Sequence, residues 1–434
     1  MFDALANAFR VPDLRKKILF TFAIIALYRV GSHIPVPGVS RGMIDALTSA
    51  TSSSSALGLL NLFSGGAMQN FAIFALGIMP YITSSIIMQL MQAVIPQLEK
   101  WSKEGETGQR KITQITRYMT LGLGLVESIA LMFTFQGQLI QAGVDVVSNG
   151  VPGKFNGFSP LTMVLIVLSL VAGTAFIMWM GELITQRGIG NGMSLLIFSS
   201  IVARFPQTLI EAFSLNQWYW AVAVIVAAFG IIVAIVTMER AQRRIPVQYA
   251  KRVVGRKVFG GVGTYIPLKL NAANVVPIIF ASSVLNFPVV LAGLSNVTWL
   301  KTFANTLASG PVNWLFMGVL IVFFSYFYTA LIFNPIDLAD NLRKQGGFIP
   351  GVRPGKATSQ HIENVLNRIT LPGALFLAAI ATVPTILFQQ SGQSMPLLQM
   401  FGGTSILIMV GVALETMTQL ESQLKMRHYD GFFK

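Results

Sequence analysis

The chain has 434 residues, 53% of them apolar and only 11% charged, where a soluble chain carries about 25% charged residues. That balance excludes an ordinary cytosolic enzyme and a disordered chain alike. The charges are lopsided, 31 Lys and Arg against 17 Asp and Glu, and with zero Cys and only three His there is no disulfide framework, thiol nucleophile or cysteine metal site.

Ten stretches are apolar enough, at roughly 20 residues each, to be read as membrane-spanning helices. The first, 18–35, follows the basic residues Arg15, Lys16 and Lys17. It is not read as a cleaved signal peptide, because no small-residue cleavage site follows and nine more spans do. Arg29 lies near its outer end, where snorkelling to the interface is the expected behaviour. Next comes 57–70, LGLLNLFSGGAMQN, which is apolar but too short to span and is broken by Gly65-Gly66. A half-helix re-entering the protein fits it, since irregular backbone at membrane depth survives only when shielded; an interfacial helix on the outer surface fits it equally.

The second and third stretches are 71–95 and 117–137. Glu127 sits about ten residues into the third and cannot snorkel easily. It either lines a wet cavity or is neutral and bonded to another helix. The fourth to sixth stretches are 159–181, 190–205 and 218–238, the fifth being short and Gly-rich at its start. The seventh to tenth are 272–294, 312–333, 369–389 and 400–420. Asn191, Asn271 and Asn274 begin the fifth and seventh, as interhelical hydrogen-bonding groups or as the lining of a water path. Glu182, Asp337, Asp340 and Glu415 fall near span ends and are expected at the interface.

Two connections, about 239–270 and 334–368, are long, basic and rich in turn residues. Val253, Val258, Tyr265 and Ile266 around the glycines of the first predict a β-hairpin-like excursion. By Lys/Arg bias, 26 of the 31 basic residues fall on alternate connections and the two ends of the chain. An even number of spans with both termini cytoplasmic is therefore predicted. Eight basic residues on the first loop exceed what orientation needs. They predict an anionic partner: RNA phosphates, an acidic protein face or anionic lipid headgroups. Few aromatics are interleaved, so phosphate contact rather than base stacking is the nucleic-acid mode.

Catalytic motifs fail. Residues 351–358, GVRPGKAT, lack the glycine spacing of a phosphate loop, and Ala357 stands where Ser or Thr should be. Gly261-Val-Gly263 lacks the third glycine of a dinucleotide fingerprint. No nucleophile–base set, metal motif or paired membrane carboxylate is present in the pattern. No enzyme activity and no cofactor are expected, and any energy must come from a partner or an ion gradient.

Five strings carry a family likeness: GIMPYITSSIIMQLM (77–91), KEGETGQRKITQITRY (103–118), GELITQRGIGNGMSLLIF (181–198), NPIDLADNLRKQGGFIPGVRPGKAT (334–358) and FGGTSILI (401–408). They resemble the SecY/Sec61 alpha family of protein-translocation channel subunits, in collinear order over essentially the whole chain. The resemblance implies an all-α, polytopic membrane protein with ten transmembrane helices in two inverted pseudo-symmetric halves, 1–205 and 206–434. It implies a protein-conducting channel in the bacterial plasma membrane, which translocates unfolded secretory polypeptides and releases membrane segments laterally. It further implies a pore ring at Ile82, Ile86, Met193, Ile197, Ile279 and Ile408, with Met193 departing from the usual branched residue. The plug corresponds to 57–70, including Leu60, Asn61, Leu62, Phe63, Ser64, Gly65 and Gly66. The second and seventh spans correspond to the lateral gate, with Glu127 and Asn191 at polar gate positions; Glu127 replaces the amide expected there. Arg252, Arg256, Lys257, Arg353 and Lys356 correspond to the docking surface for the ribosome (through rRNA phosphates) and the motor ATPase SecA. Implied partners are SecE and SecG, SecA, the ribosome, signal peptides and translocating polypeptides, and anionic lipids. A secondary transporter with inverted repeats is the competing reading; the large basic loops and the absence of a buried carboxylate cluster count against it. An intramembrane enzyme is the third, and it lacks a nucleophile–base set.

Overall fold

The computed structural model describes residues 9, 11–40, 42–44, 61, 63–141, 145–148, 151–154, 157–214, 218–249, 252–254, 257–259, 263–294, 298–308, 310–390 and 402–430. Helices lie on all ten apolar stretches. The first half contains α1 (Pro12–Gly31), α2 (Met79–Val94), the short α3 (Pro96–Lys103) and α4 (Glu106–Gln141). A small hairpin of β1 (Asp145–Ser148) and β2 (Val151–Lys154) precedes α5 (Pro160–Arg187) and α6 (Gly192–Ser214). After α7 (Trp218–Arg240) the chain leaves the helical layer as β3 (Gln242–Tyr249), β4 (Arg252–Val254), β5 (Lys257–Phe259) and β6 (Thr264–Lys269). It returns as α8 (Val276–Leu294), α9 (Thr298–Ala308) and α10 (Gly310–Ile332). Then come α11 (Pro335–Lys344), the two-residue β7 (Gly347–Phe348), α12 (Lys356–Gln390) and α13 (Gly403–Asp430). Five of these helical segments are long and apolar enough, by length and composition, to cross a membrane, and the apolar parts of α6 and α8 are shorter.

Apolar side chains crowd the outside as well as the inside. Leu161, Val164, Leu165 and Leu168 of α5 are exposed, as are Phe229 of α7 and Leu315, Val319 and Phe323 of α10. Such a continuous exposed apolar surface is unfavourable in water and suits acyl chains. The polar side chains within the helices obey the same constraint. The hydroxyls of Thr120, Ser128, Thr174, Ser325, Thr329 and Thr370 each donate to the carbonyl four residues back in their own helix. A buried hydroxyl is thereby satisfied without a partner from another element. Glycines permit close helix contacts. A Cβ on Gly192 would overlap the Gly181 carbonyl, joining α5 to α6, and one on Gly403 would overlap the Ile380 carbonyl, joining α12 to α13. Small residues permit this backbone approach in membrane bundles.

The second span differs from its predicted extent, 71–95. Helix α2 starts only at Met79, and residues 64–78 run as successive turns with a single bridge between Pro35 and Ala72. Phe71 (φ 43°) and Gly77 (φ 57°) are in the left-handed region, which breaks any helix there. These turns are shielded by protein: Met68, Phe71 and Ala72 are fully buried, and Phe71 packs on Phe135 of α4. Elsewhere the helices outrun the apolar stretches, α12 beginning thirteen residues before 369.

Outside the helical layer, β3 is the centre of a three-stranded antiparallel sheet, β6-β3-β7. Its register pairs Gln242 with Lys269 and Val247 with Thr264 on one side, and Tyr249 with Gly347 on the other. The hairpin foreseen from Val253, Val258, Tyr265 and Ile266 is therefore present, with β4 and β5 as its distal pair.

Candidate functional site

The six positions expected to form the ring come from four helices. Ile82 and Ile86 lie one turn apart on α2, Met193 and Ile197 one turn apart on α6, Ile279 on α8 and Ile408 on α13. All six are 0–9% exposed and belong to one contiguous apolar cluster. Phe63 and Ala67 of the 57–70 segment belong to the same cluster. The unbranched Met193 has a local explanation. Its thioether lies against Gly181 of α5, in space that a Cβ there would fill, and a flexible side chain suits such a slot.

The segment 57–70 is neither a re-entrant half-helix nor a surface helix in its described part. Asn61 and Phe63 are helical and 64–70 are turns, and Asn61, Phe63 and Ser64 are almost fully buried. Leu60 and Leu62 lie outside the described residues. The turns close on themselves: Ser64 Oγ donates to the Asn61 carbonyl (3.1 Å), Gly66 N to the same carbonyl (3.0 Å), and Gln69 N to Asn61 Oδ1 (3.2 Å). Two neighbouring elements hold them. Tyr28 Oη of α1 lies 2.7 Å from Ser200 Oγ of α6 and 3.5 Å from the Ser64 carbonyl, and Arg29 Nη1 donates to the Gly65 carbonyl at 3.1 Å. Arg29 thus does not snorkel. A main-chain carbonyl within reach of its guanidinium replaces the water it would otherwise seek.

Helices α2 and α8, expected to form the lateral gate, pack side by side, and α8 also packs on α4. Among the described residues no side-chain hydrogen bond joins α2 to α8. Ser84, Ser282 and Ser283 all bond within their own helices. The side chains shared between them are apolar: Ile82 and Ile86 of α2 lie in one buried cluster with Ile278 and Ile279 of α8. Glu127 is half-buried on α4 and makes no hydrogen bond or ion pair among the described residues, so the interhelical bond considered for it is absent. Asn191, expected at a polar gate position, stands at the start of α6. Its Oδ1 accepts from Met193 N (3.1 Å) and Ser194 N (3.5 Å), capping the start of α6. Asn271 does bond between elements, donating to Glu239 of α7 at 2.6 Å. Arg117 of α4 and Glu182 of α5 form a two-pronged ion pair, Nε to Oε1 at 2.7 Å.

Sequence reasoning missed Tyr28, Ser200, Arg204 and Asn286. Asn286 is a buried amide on α8 whose nitrogen has no partner among the described residues. An Asn deep in an apolar stretch is a readable signal; the Tyr28–Ser200 pair, 172 residues apart, is not.

The two basic loops are one body. Besides the β3–β7 pairing, Ile245, Val247 and Leu268 of the first loop pack with Leu342, Ile349, Ile362 and Leu366 of the second region in a small core of their own. From this platform Arg353 projects, exposed, between Gly351 and Pro354. Its carbonyl accepts from Thr358 Oγ1 at 2.9 Å, and its guanidinium makes no hydrogen bond or ion pair among the described residues. Lys356 is exposed at the start of α12, beside a cleft of about 560 Å³ lined by Ala339, Asp340, Gln360 and Glu363. Arg243, Arg244, Lys269, Arg343 and Lys344 are exposed on the same body, and Arg244 lies over the Tyr265 ring, 4.7 Å from its centroid. Arg252 and Lys257 lie on the paired strands β4 and β5; Arg256 is outside the described residues.

Comparison with known proteins follows the same line. The SecY family model matches residues 72–417. A protein translocase subunit SecY of Streptomyces scabiei is 49% identical over 447 aligned positions, covering 100% of both chains. Among solved structures, one described as showing that the plug domain of the SecY protein stabilises the closed state of the translocation channel and maintains a membrane seal superposes with a TM-score of 0.63. It is 18% identical, with 94% of this chain and 91% of that one covered. Sec61 in the canine ribosome-channel complex from the endoplasmic reticulum gives a TM-score of 0.59 at 16% identity, with the same coverage.

Proposed function

The chain belongs to the SecY family, and we propose that it is the protein-conducting channel through which unfolded polypeptides cross the bacterial plasma membrane and membrane segments leave sideways into lipid. The observation that carries this reading is that Ile82, Ile86, Met193, Ile197, Ile279 and Ile408, from four helices, are all buried in one apolar cluster that also contains Phe63. A narrow apolar constriction offers an ion nothing to bind and dewets when empty. A polypeptide passing through it needs no specific contact, only side chains that yield. Six side chains on four separate helices can move apart as the helices do, whereas a polar ring would leave groups unsatisfied in every intermediate position.

The segment 57–70 is the plug, seated against this ring at rest. Helices α2 and α8 form the lateral gate, between the halves 1–205 and 206–434. With apolar packing rather than hydrogen bonds between them, the gate opens to an apolar signal helix without leaving polar groups bare. Both termini are cytoplasmic by the Lys/Arg distribution, which puts the fused basic platform on the cytoplasmic side. There Arg353 and its neighbours receive the ribosome through rRNA phosphates, or the SecA motor. Anionic headgroups face the basic residues nearest the membrane, and SecE and SecG complete the channel at its lipid-facing surface. Energy comes from these partners.

The test is reconstitution in vesicles with the small subunits, followed by addition of motor, ATP and a signal-bearing substrate. Protease-protected import is expected. Its absence with intact, correctly inserted protein would overturn the proposal.

A further inference from the structure

We infer that Arg29, seconded by Arg204, is the latch that holds the plug in the resting channel, an inference that rests on reading 57–70 as the plug. Arg29 brings a permanent cation from α1 to the turn at Gly65, where Nη1 donates to the Gly65 carbonyl at 3.1 Å. Gly65 is built for this approach. It has φ of 64°, and a Cβ there would stand 2.6 Å from Arg29 Nη1 and 2.9 Å from Ser200 Cα. Neighbouring Tyr28 is hydrogen-bonded to Ser200 of α6, so the two helices that flank the turn are tied to each other just below it. One turn further along α6 from Ser200, Arg204 donates through Nη2 to Gln69 Oε1. The turn 64–69 is thus gripped at both ends by guanidinium groups from two different spans.

No carboxylate pairs with Arg29 among the described residues; the Gly65 carbonyl is its acceptor on the plug. That makes the contact restoring rather than merely adhesive. When the plug swings away, a half-buried cation loses its acceptor. Leaving a charged donor unsatisfied in such a place is costly, so the empty latch favours the plug's return. A neutral hydrogen-bonding side chain would hold the turn but supply a weaker pull. The residue type and the glycine opposite it therefore belong together. Arg29 is a positioning residue: it acts through the plug, whose Gly65 carbonyl it holds.

The chain has no cysteine, which makes plug release directly readable. Ala67→Cys places a single thiol at a fully buried plug position, and its labelling rate by a membrane-impermeant maleimide reports release in the reconstituted complex. Adding Arg29→Gln is expected to raise that rate, and the resting ion conductance, about tenfold, the effect of losing one charge-assisted hydrogen bond. Arg29→Lys should restore most of the seal. Gly65→Ala, which leaves Arg29 intact but fills its approach, should leak like Arg29→Gln and covers the case in which that variant inserts poorly. In a channel lacking residues 60–68, Arg29→Gln should add no further leak. Unchanged labelling and conductance in both Arg29→Gln and Gly65→Ala would overturn the latch while the deletion's own leak upheld the plug. A leak from Arg29→Gln that persists undiminished in the deleted channel would also overturn it. If the deletion itself does not leak, the plug reading falls and the latch with it.

Discussion

The hydroxyl of Thr358, buried in the first turn of α12, donates to the main-chain carbonyl of Arg353 at 2.9 Å. This bond fixes the backbone of a short Pro/Gly-bounded turn from the inside and leaves the guanidinium on the outside. Arg353→Glu is expected to abolish motor- and ribosome-driven transport while the resting conductance stays at the wild-type level. Thr358→Val keeps the volume but removes a buried hydrogen bond worth about 1 kcal/mol. It should lower driven transport several-fold by loosening the same turn. Import rate and single-channel conductance, measured side by side, check both.

Gly347 pairs with Tyr249 in the strand contact that joins the two basic loops, and a Cβ at Gly347 would lie 3.0 Å from the Tyr249 ring. Gly347→Val is therefore expected to part β7 from β3, at about 1–3 kcal/mol for overpacking. Amide hydrogen exchange should speed up at Phe348 and at Gln248–Tyr249 together, and driven transport should fall. Protection unchanged across that contact would mean that the loops dock independently.

Asn191 caps α6 through its Oδ1. Asn191→Ala should cost about 1 kcal/mol of stability, seen as a lower melting temperature, with signal-sequence selectivity unaltered. A change in selectivity without loss of stability would return Asn191 to the gate.

Replacing Ile86 and Ile408 together by Gly removes two of the six proposed ring side chains, from separate helices. Resting ion conductance is expected to rise several-fold, since a widened apolar constriction stays wet. Conductance at the wild-type level would place the seal elsewhere.

Much of this was legible in the residues, for reasons that differ by element. Long apolar runs such as 159–181 and 312–333 can be little else at this length, and the basic loops declare themselves by composition. The stretch 71–78, FAIFALGI, reads as helix because its apolar content is right, yet its turns depend on the left-handed Phe71 and Gly77, which tertiary packing imposes. A two-residue strand such as β7 is too short to leave a pattern, so the fusion of the two loops was hidden. Arg29 was visible as an oddity but not its role, because its partner is a main-chain carbonyl, and carbonyls have no sequence signature. The cap made by Asn191 was hidden for the converse reason: a cap and a gate contact use the same residue type, and only geometry reveals the cap.

A translocating chain is expected to pass within the proposed ring. A photoreactive side chain placed at Ile86, at Ile408 and, as a control, at the exposed Leu168 of α5 reports this when a secretory polypeptide is stalled partway through the reconstituted channel. Cross-links from Ile86 and Ile408 to the stalled chain, and from Leu168 to lipid alone, are the predicted result. Cross-links from all three positions to lipid, with none to the polypeptide, would contradict the account.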